Sequence, residues 1–290
     1  MEVLQIHGRV DNILDVNGII HSFKIQFQES NSHVDIKIDL SKVEFISPYG
    51  AIYLLLFFEK FNNRIKQIKL PSEQVLSYLH RMDFFNYIPK EIHCLDDKDL
   101  LGKLNKRTRY DRRDILLEIS PILNVEDVNN IYNSVLKILK ENDISSRERS
   151  IVANIVSELT TNIIDHSYGV GFASIQCYSN SKKIVIAIGD NGIGIINAIK
   201  STFLSEFPNR KINDLILLKY AFKQRKSSNL ETNRGLGLDN VRESSFKHAE
   251  NVLFNIITNG STFNITDEKI KHVVEKDYFP GTYIYLEIKF

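Results

Sequence analysis

Along the first hundred residues the apolar and polar positions change period several times. Residues 34–40 (VDIKIDL) alternate apolar and polar side chains, the pattern of a half-buried strand. Ser47-Pro48-Tyr49-Gly50 reads as a turn, residues 51–58 (AIYLLLFF) form an apolar run, and residues 59–66 are polar. Residues 67–70, closed by Pro71, read as a strand, and residues 72–82 as a helix with Ser72-Glu73-Gln74 as its candidate cap. Together these predict a small α/β layer.

The second half has longer helical periods. Residues 116–121 read as a strand, and residues 124–142 carry helical spacing at Val128, Ile131, Tyr132, Val135, Ile138 and Leu139. Residues 145–166 form a second long helix with an apolar stripe of Ile151, Ile155, Val156, Leu159 and Ile163. Strand-like runs follow at 173–178, 184–188, 252–257, 262–265 and 283–290, with a long, partly helical insertion at 195–233. Between the two halves, residues 100–114 (LLGKLNKRTRYDRRD) carry six Lys/Arg from Lys103 to Arg113 and one aromatic, Tyr110. Such a stretch can touch nucleic acid or phosphate. Asp111 and Asp114 offset part of its charge, and it reads as a solvated connector. The expected division is therefore 1–100, a basic connector at 101–114, and 115–290.

Composition narrows the class. At about 100–200 residues per domain, 290 residues hold roughly two domains with their own cores. A net charge of +1, from 37 Lys+Arg against 36 Asp+Glu, argues against a chain devoted to coating nucleic acid or an anionic membrane. Two cysteines, Cys94 and Cys177, form no CxxC pair, which excludes a disulfide framework and a thiolate zinc site. None of the eight histidines falls in an HExxH spacing, so no zinc is expected. The apolar run at 51–58 stops at Glu59-Lys60, short of the roughly 20 residues of a membrane span. The N-terminus (MEVLQIHGRVDN) lacks the basic start and apolar core of a secretory signal. A cytoplasmic protein is the expectation.

The candidate chemistry sits in two glycine clusters and one helix. Gly189-Asp190-Asn191-Gly192-Ile193-Gly194-Ile195 follows an apolar strand, and Arg234-Gly235-Leu236-Gly237-Leu238 opens a helical segment. Glycines let a backbone turn through positive φ or approach a ligand closely, and a Gly-X-Gly at a helix start leaves N–H groups that suit a phosphate. Either cluster alone is equally the mark of a tight turn. In Glu158-Leu159-Thr160-Thr161-Asn162, a carboxylate and an amide stand at i and i+4, off the Ile155/Leu159/Ile163 stripe. Alone, that pair reads as a solvent face. Followed by the two clusters, it reads as a wall of a common cleft.

ELTTN, GDNGIGI, RGLGL and the late Gly281-Thr282 resemble, in order, the N, G1, G2 and G3 boxes of the GHKL ATPase superfamily. That superfamily includes the ATP-binding domains of gyrase, heat-shock chaperones, mismatch-repair proteins and histidine kinases, all on the Bergerat fold. ELTTNIIDHS with RGLGLDNVRES is most similar to the anti-sigma-factor serine kinases. The resemblance implies a C-terminal α/β sandwich with a mixed sheet, and ATP and Mg²⁺ as ligands. It implies Glu158 as general base and Asn162 as the Mg²⁺ ligand. Asp190 would accept a hydrogen bond from the adenine amino group, with Thr282 supporting the same base. Gly192 and Gly194 would line the close approach of the nucleotide, and Gly235, Leu236 and Gly237 would form the phosphate loop. Arg234 and Lys226 would be charge partners of the phosphates. A homodimer and a lid over 195–233 are further implications.

The N-terminal half resembles the STAS domain of anti-sigma-factor antagonists. The resemblance rests on Asp39-Leu40-Ser41, on Phe45-Ile46-Ser47-Pro48-Tyr49-Gly50 before a helix, and on Tyr78-Leu79-His80-Arg81-Met82-Asp83-Phe84-Phe85. It departs where the phosphorylated hydroxyl of that family stands: Pro48 takes that position and Ser47 replaces an aspartate. A docking or sensing module for a protein partner is therefore expected. Two functions stay open at this point: γ-phosphate transfer to a partner protein, and an ATP-driven conformational or dimerisation switch without protein-kinase activity. Residues 115–145 contain no histidine, which argues against a sensor histidine kinase.

Overall fold

The computed structural model of the chain describes residues 1–27, 34–96, 99–108, 115–223, 237–275 and 278–290. It divides into two compact units, Met1–Asp111 and Arg112–Phe290. In the first, β1 (Glu2–Val10) leads through α1 (Ile13–Phe27) to β2 (Ile36–Ile46). Then follow α2 (Pro48–Lys60), β3 (Ile65–Lys69), α3 (Glu73–Arg81), β4 (His93–Leu95) and α4 (Leu100–Asn105). The strands pair in parallel in the order β1-β2-β3-β4, the sheet that successive strand–helix–strand crossovers build. β1 and α1 fall where the pattern assigns no element.

Every residue of α2 from Pro48 to Phe58 is buried, which is why its sequence is apolar around the whole circumference. Phe57 packs edge-on against Phe23 and Phe61, and Phe58 edge-on against Phe84. No helix among the described residues is long and apolar enough to cross a membrane. Residues 47–50, read above as a turn, are instead the entry of α2. Ser47 is the N-cap, its Oγ accepting from the Gly50 N–H at 3.1 Å, and Pro48 sits where a missing N–H does no harm. The same Oγ donates to the Asp11 carbonyl at 3.1 Å, tying the helix start to the segment after β1. Ser47→Ala is therefore expected to destabilise this unit by about 1 kcal/mol, seen as a lower urea midpoint with an unchanged slope. Ser72 does precede α3 but makes no side-chain cap bond.

The basic stretch is less solvated at its start than its charge suggests. Residues 100–105 form α4, and Leu104 packs with Leu70 and Leu76 of the first unit. His80 and Asn105 share a 2.8 Å hydrogen bond, and Arg107 pairs with Glu73 at 3.3 Å. Residues 109–114 lie outside the described residues.

The second unit runs β5 (Leu116–Ile122), α5 (Val125–Glu141), α6 (Ser146–His166), β6 (Gly171–Tyr178) and β7 (Lys183–Asp190). It continues through α7 (Ile195–Glu206), α8 (Asp214–Lys223), α9 (Gly237–His248), β8 (Asn251–Thr258), β9 (Ser261–Ile265), β10 (Ile270–Glu275) and β11 (Thr282–Lys289). Asn124 with Asp127, and Ser145 with Glu148, form capping boxes that start α5 and α6. β10 again falls where the pattern assigns nothing.

The seven strands are ordered β10-β9-β8-β11-β7-β6-β5, and every described pair is antiparallel. The α/β sandwich is as expected, whereas the mixed sheet is corrected. β7 and β8 do run in the same direction, joined through α7, α8 and α9, but β11 inserts between them and opposes both. The core lies on the face carrying Ile184, Ile186, Ile188, Ile284, Leu286 and Ile288, against Val152, Val156 and Leu159 of α6.

Candidate active site

α6 supplies the first wall. Its Ile155, Leu159 and Ile163 are buried in the core, and Glu158 and Asn162 stand one turn apart, half-buried, on a cavity of about 840 Å³. Asp190 at the end of β7, Gly194 before α7, Gly237 at the start of α9 and Thr282 at the start of β11 line the same cavity. Gly192 is not among the lining residues. It packs against the chain after α6, where an added Cβ would lie 1.9 Å from the Ser167 carbonyl oxygen. Lys226, Arg234, Gly235 and Leu236 lie outside the described residues.

Asp190 is 4% exposed. Its Oδ1 accepts from the Ser167 hydroxyl at 2.7 Å and from the Gly192 N–H at 2.8 Å. Burial pushes its carboxyl up from the ordinary value, while the bonds from Ser167, Gly192 and Thr282 pull part of that back. The loop around it is held by Asn191, whose side chain accepts from the Val170 N–H at 2.9 Å. Gly281 approaches from the other side at φ 91°, where a Cβ would meet the Asp190 carbonyl oxygen at 1.9 Å.

The start of α7 is capped from the sheet. Gly194 offers no side chain, and the Ile195 N–H instead donates to Thr258 Oγ1 at 2.9 Å and Thr282 Oγ1 at 3.2 Å. Both threonines are buried, opposite one another on β8 and β11. Thr258→Val keeps the shape and removes the nearer acceptor, so a loss of about 1 kcal/mol in stability is expected, read from the denaturation midpoint of the full chain. At the start of α9, the Gly237 N–H donates to Glu158 Oε1 at 3.0 Å. The carboxylate thus occupies a helix N-terminus, where anions are favoured.

The donor set fits Mg²⁺. That ion binds through one or two protein oxygens and completes its shell with water and phosphate oxygens. Asn162 offers an amide oxygen on the cavity wall, with the Glu158 carboxylate one turn away. Among the described residues no group of three or more His, Cys, Asp or Glu is arranged to hold a metal alone.

Sequence reasoning missed Ser167, Thr258 and Asn259. Ser167 stands within the ELTTNIIDHS stretch, and Asn259-Gly260 is a turn signal that places Thr258 at a strand end. Asn259 donates through Nδ2 to the Ile193 carbonyl at 2.8 Å and so braces the glycine loop.

Comparison with known proteins bears on this geometry. No curated protein matches the chain. A solved SiaB–SiaC complex from Pseudomonas aeruginosa is similar at 14% identity and a TM-score of 0.34, covering 68% of this chain and 99% of that chain. The family model described as "Histidine kinase-, DNA gyrase B-, and HSP90-like ATPase" matches residues 148–267, which span α6, the glycine loop before α7 and β8 with β9. The C-terminal unit therefore contains a domain of this GHKL ATPase family.

Proposed function

We propose that the C-terminal unit binds Mg·ATP and moves its γ-phosphate, as a regulatory switch of the anti-sigma-factor serine kinase type. The observation that carries this reading is the single cavity shared by Glu158, Asn162, Asp190, Gly237 and Thr282. Its volume lies within the roughly 300–1,000 Å³ of small-molecule sites. Asp190 and Thr282 stand at one pair of strand ends and would hold the adenine. The α9 N-terminus at Gly237 would receive phosphate oxygens, with Gly235, Leu236, Arg234 and Lys226 completing that cradle. Glu158 takes the proton of the attacking water or hydroxyl. Bound through Asn162, Mg²⁺ would neutralise charge on the β- and γ-phosphates. The N-terminal unit serves as a STAS-like docking module for a protein partner, and the protein acts as a homodimer.

The contact between Glu158 and the Gly237 N–H favours a second reading, a nucleotide-driven switch without protein-kinase activity. A phosphate arriving at α9 displaces that carboxylate, so binding alone alters how α6 and α9 are joined. Following the γ-phosphate of labelled ATP in purified protein with host-cell extract separates the two. Label on a discrete protein, lost with Glu158→Ala, supports the kinase. Glu158-dependent release of free phosphate alone supports the switch, and no Glu158-dependent change in the label overturns both.

A further inference from the structure

We propose that Ser167 is a positioning residue that makes the cavity select a base bearing an exocyclic amino group, an inference that rests on the nucleotide reading above. Ser167 lines the cavity directly after α6 and is 5% exposed. Its backbone is held on both sides: its N–H donates to the Ile163 carbonyl at 3.0 Å, and its carbonyl accepts from the Ile193 N–H at 2.9 Å. Its Oγ accepts from the Gly169 N–H at 3.2 Å, which directs the hydroxyl proton to Asp190 Oδ1.

Ser167 and Gly192 thus place two donors on one carboxylate oxygen. The Thr282 backbone N–H bonds the same carboxylate, so its plane is fixed, and its remaining lone pairs keep acceptor capacity. An ionised carboxylate only accepts, so the group it meets must donate. The 6-amino group of adenine does so, whereas the 6-carbonyl of hypoxanthine would set lone pair against lone pair. A site built to bond a donor rejects the analogue that lacks it, because its own polar group is left unpaired.

The backbone bonds from Gly192 and Thr282 alone would not secure this. Burial of Asp190 favours the protonated carboxyl, which both donates and accepts and so tolerates either base. The Ser167 hydroxyl bonds the ionised form and stops the carboxylate turning. Ser167 therefore acts through Asp190 and need not touch the nucleotide.

The test is calorimetric binding of ATP, of inosine triphosphate and of purine riboside triphosphate, which lacks the 6-substituent. Wild-type protein is expected to bind ATP more tightly than either analogue. Ser167→Ala is expected to reduce that preference by about tenfold, the size of one charge-assisted hydrogen bond, and Ser167→Thr to restore it. Should Ser167→Ala fail to fold, Ser167→Cys, with a weaker donor of like size, is expected to lower the same ratio. Equal weakening of all three ligands would mark Ser167 as merely structural and overturn the proposal. Wild-type binding of ATP without preference overturns it too, while leaving the nucleotide reading intact. A wild-type chain that binds none of the three overturns the nucleotide reading itself, and the proposal with it.

Discussion

Glu158→Ala is expected to bind ATP and fail to turn it over, losing about 10²–10⁴-fold in rate, the usual contribution of a positioned general base. Glu158 lines the cavity one helical turn from Asn162, and its half-buried side chain is fixed by the Gly237 N–H at 3.0 Å. Removing the carboxylate frees that N–H for a phosphate oxygen and takes one negative charge from the phosphate end of the cavity. Affinity is accordingly expected to hold or rise while the rate collapses. Single-turnover phosphate release together with calorimetric affinity measures both. Turnover equal to the wild type would remove Glu158 as the base, and loss of binding would make it a structural cap of α9.

Asp190→Ala is expected to weaken ATP binding by about 100-fold or more without unfolding the chain. The carboxylate is 4% exposed and its Oδ1 already serves Ser167 and Gly192, so its loss removes the base contact and the order of the loop beside it. Asp190→Asn separates the two effects, because it keeps an acceptor for Ser167 and Gly192 while removing the charge. Burial raises the folded-state pKa of Asp190 above its ordinary 3.8. Between those two values the folded chain holds a proton that the unfolded chain has released, so this group costs stability as pH rises through that window, and the cost is complete above it. Asn does not titrate. At neutral pH the Asn variant is expected to be as stable as the wild type or more so, yet to bind ATP poorly. Denaturation and binding measured on the same samples check this; wild-type affinity would refute Asp190 as the base contact.

Much of the candidate site was legible because it is local. The spacing of Glu158 and Asn162 against Ile155, Leu159 and Ile163 determines which face of α6 meets the core, since both follow the 3.6-residue period. Asn124 and Ser145 announce the starts of α5 and α6, because a cap and its partner lie within one turn. The same kind of signal was available for α1, where Val16, Ile19, Ile20, Phe23 and Phe27 are buried at helical spacing and Asn12 accepts from the Leu14 and Asp15 N–H groups. At residues 47–50 the local pattern misled: Ser and Pro favour turns and helix entries alike, and the tie to the Asp11 carbonyl settles the choice.

Helices α5 and α6, and the face of α6 that carries Glu158 and Asn162, can be read from the chain alone, because they are set by contacts within a few positions. How those pieces meet depends on the fold as a whole. Thr282 pairs with Asp190 on one side and with Thr258 on the other because β11 inserts between β7 and β8. Ser167 reaches Asp190 because the chain after α6 folds back under the glycine loop, where the Ile193 N–H bonds the Ser167 carbonyl. Strand order and register are chosen by matching whole hydrophobic faces over long separations, and no short-range pattern encodes which strand slides between which.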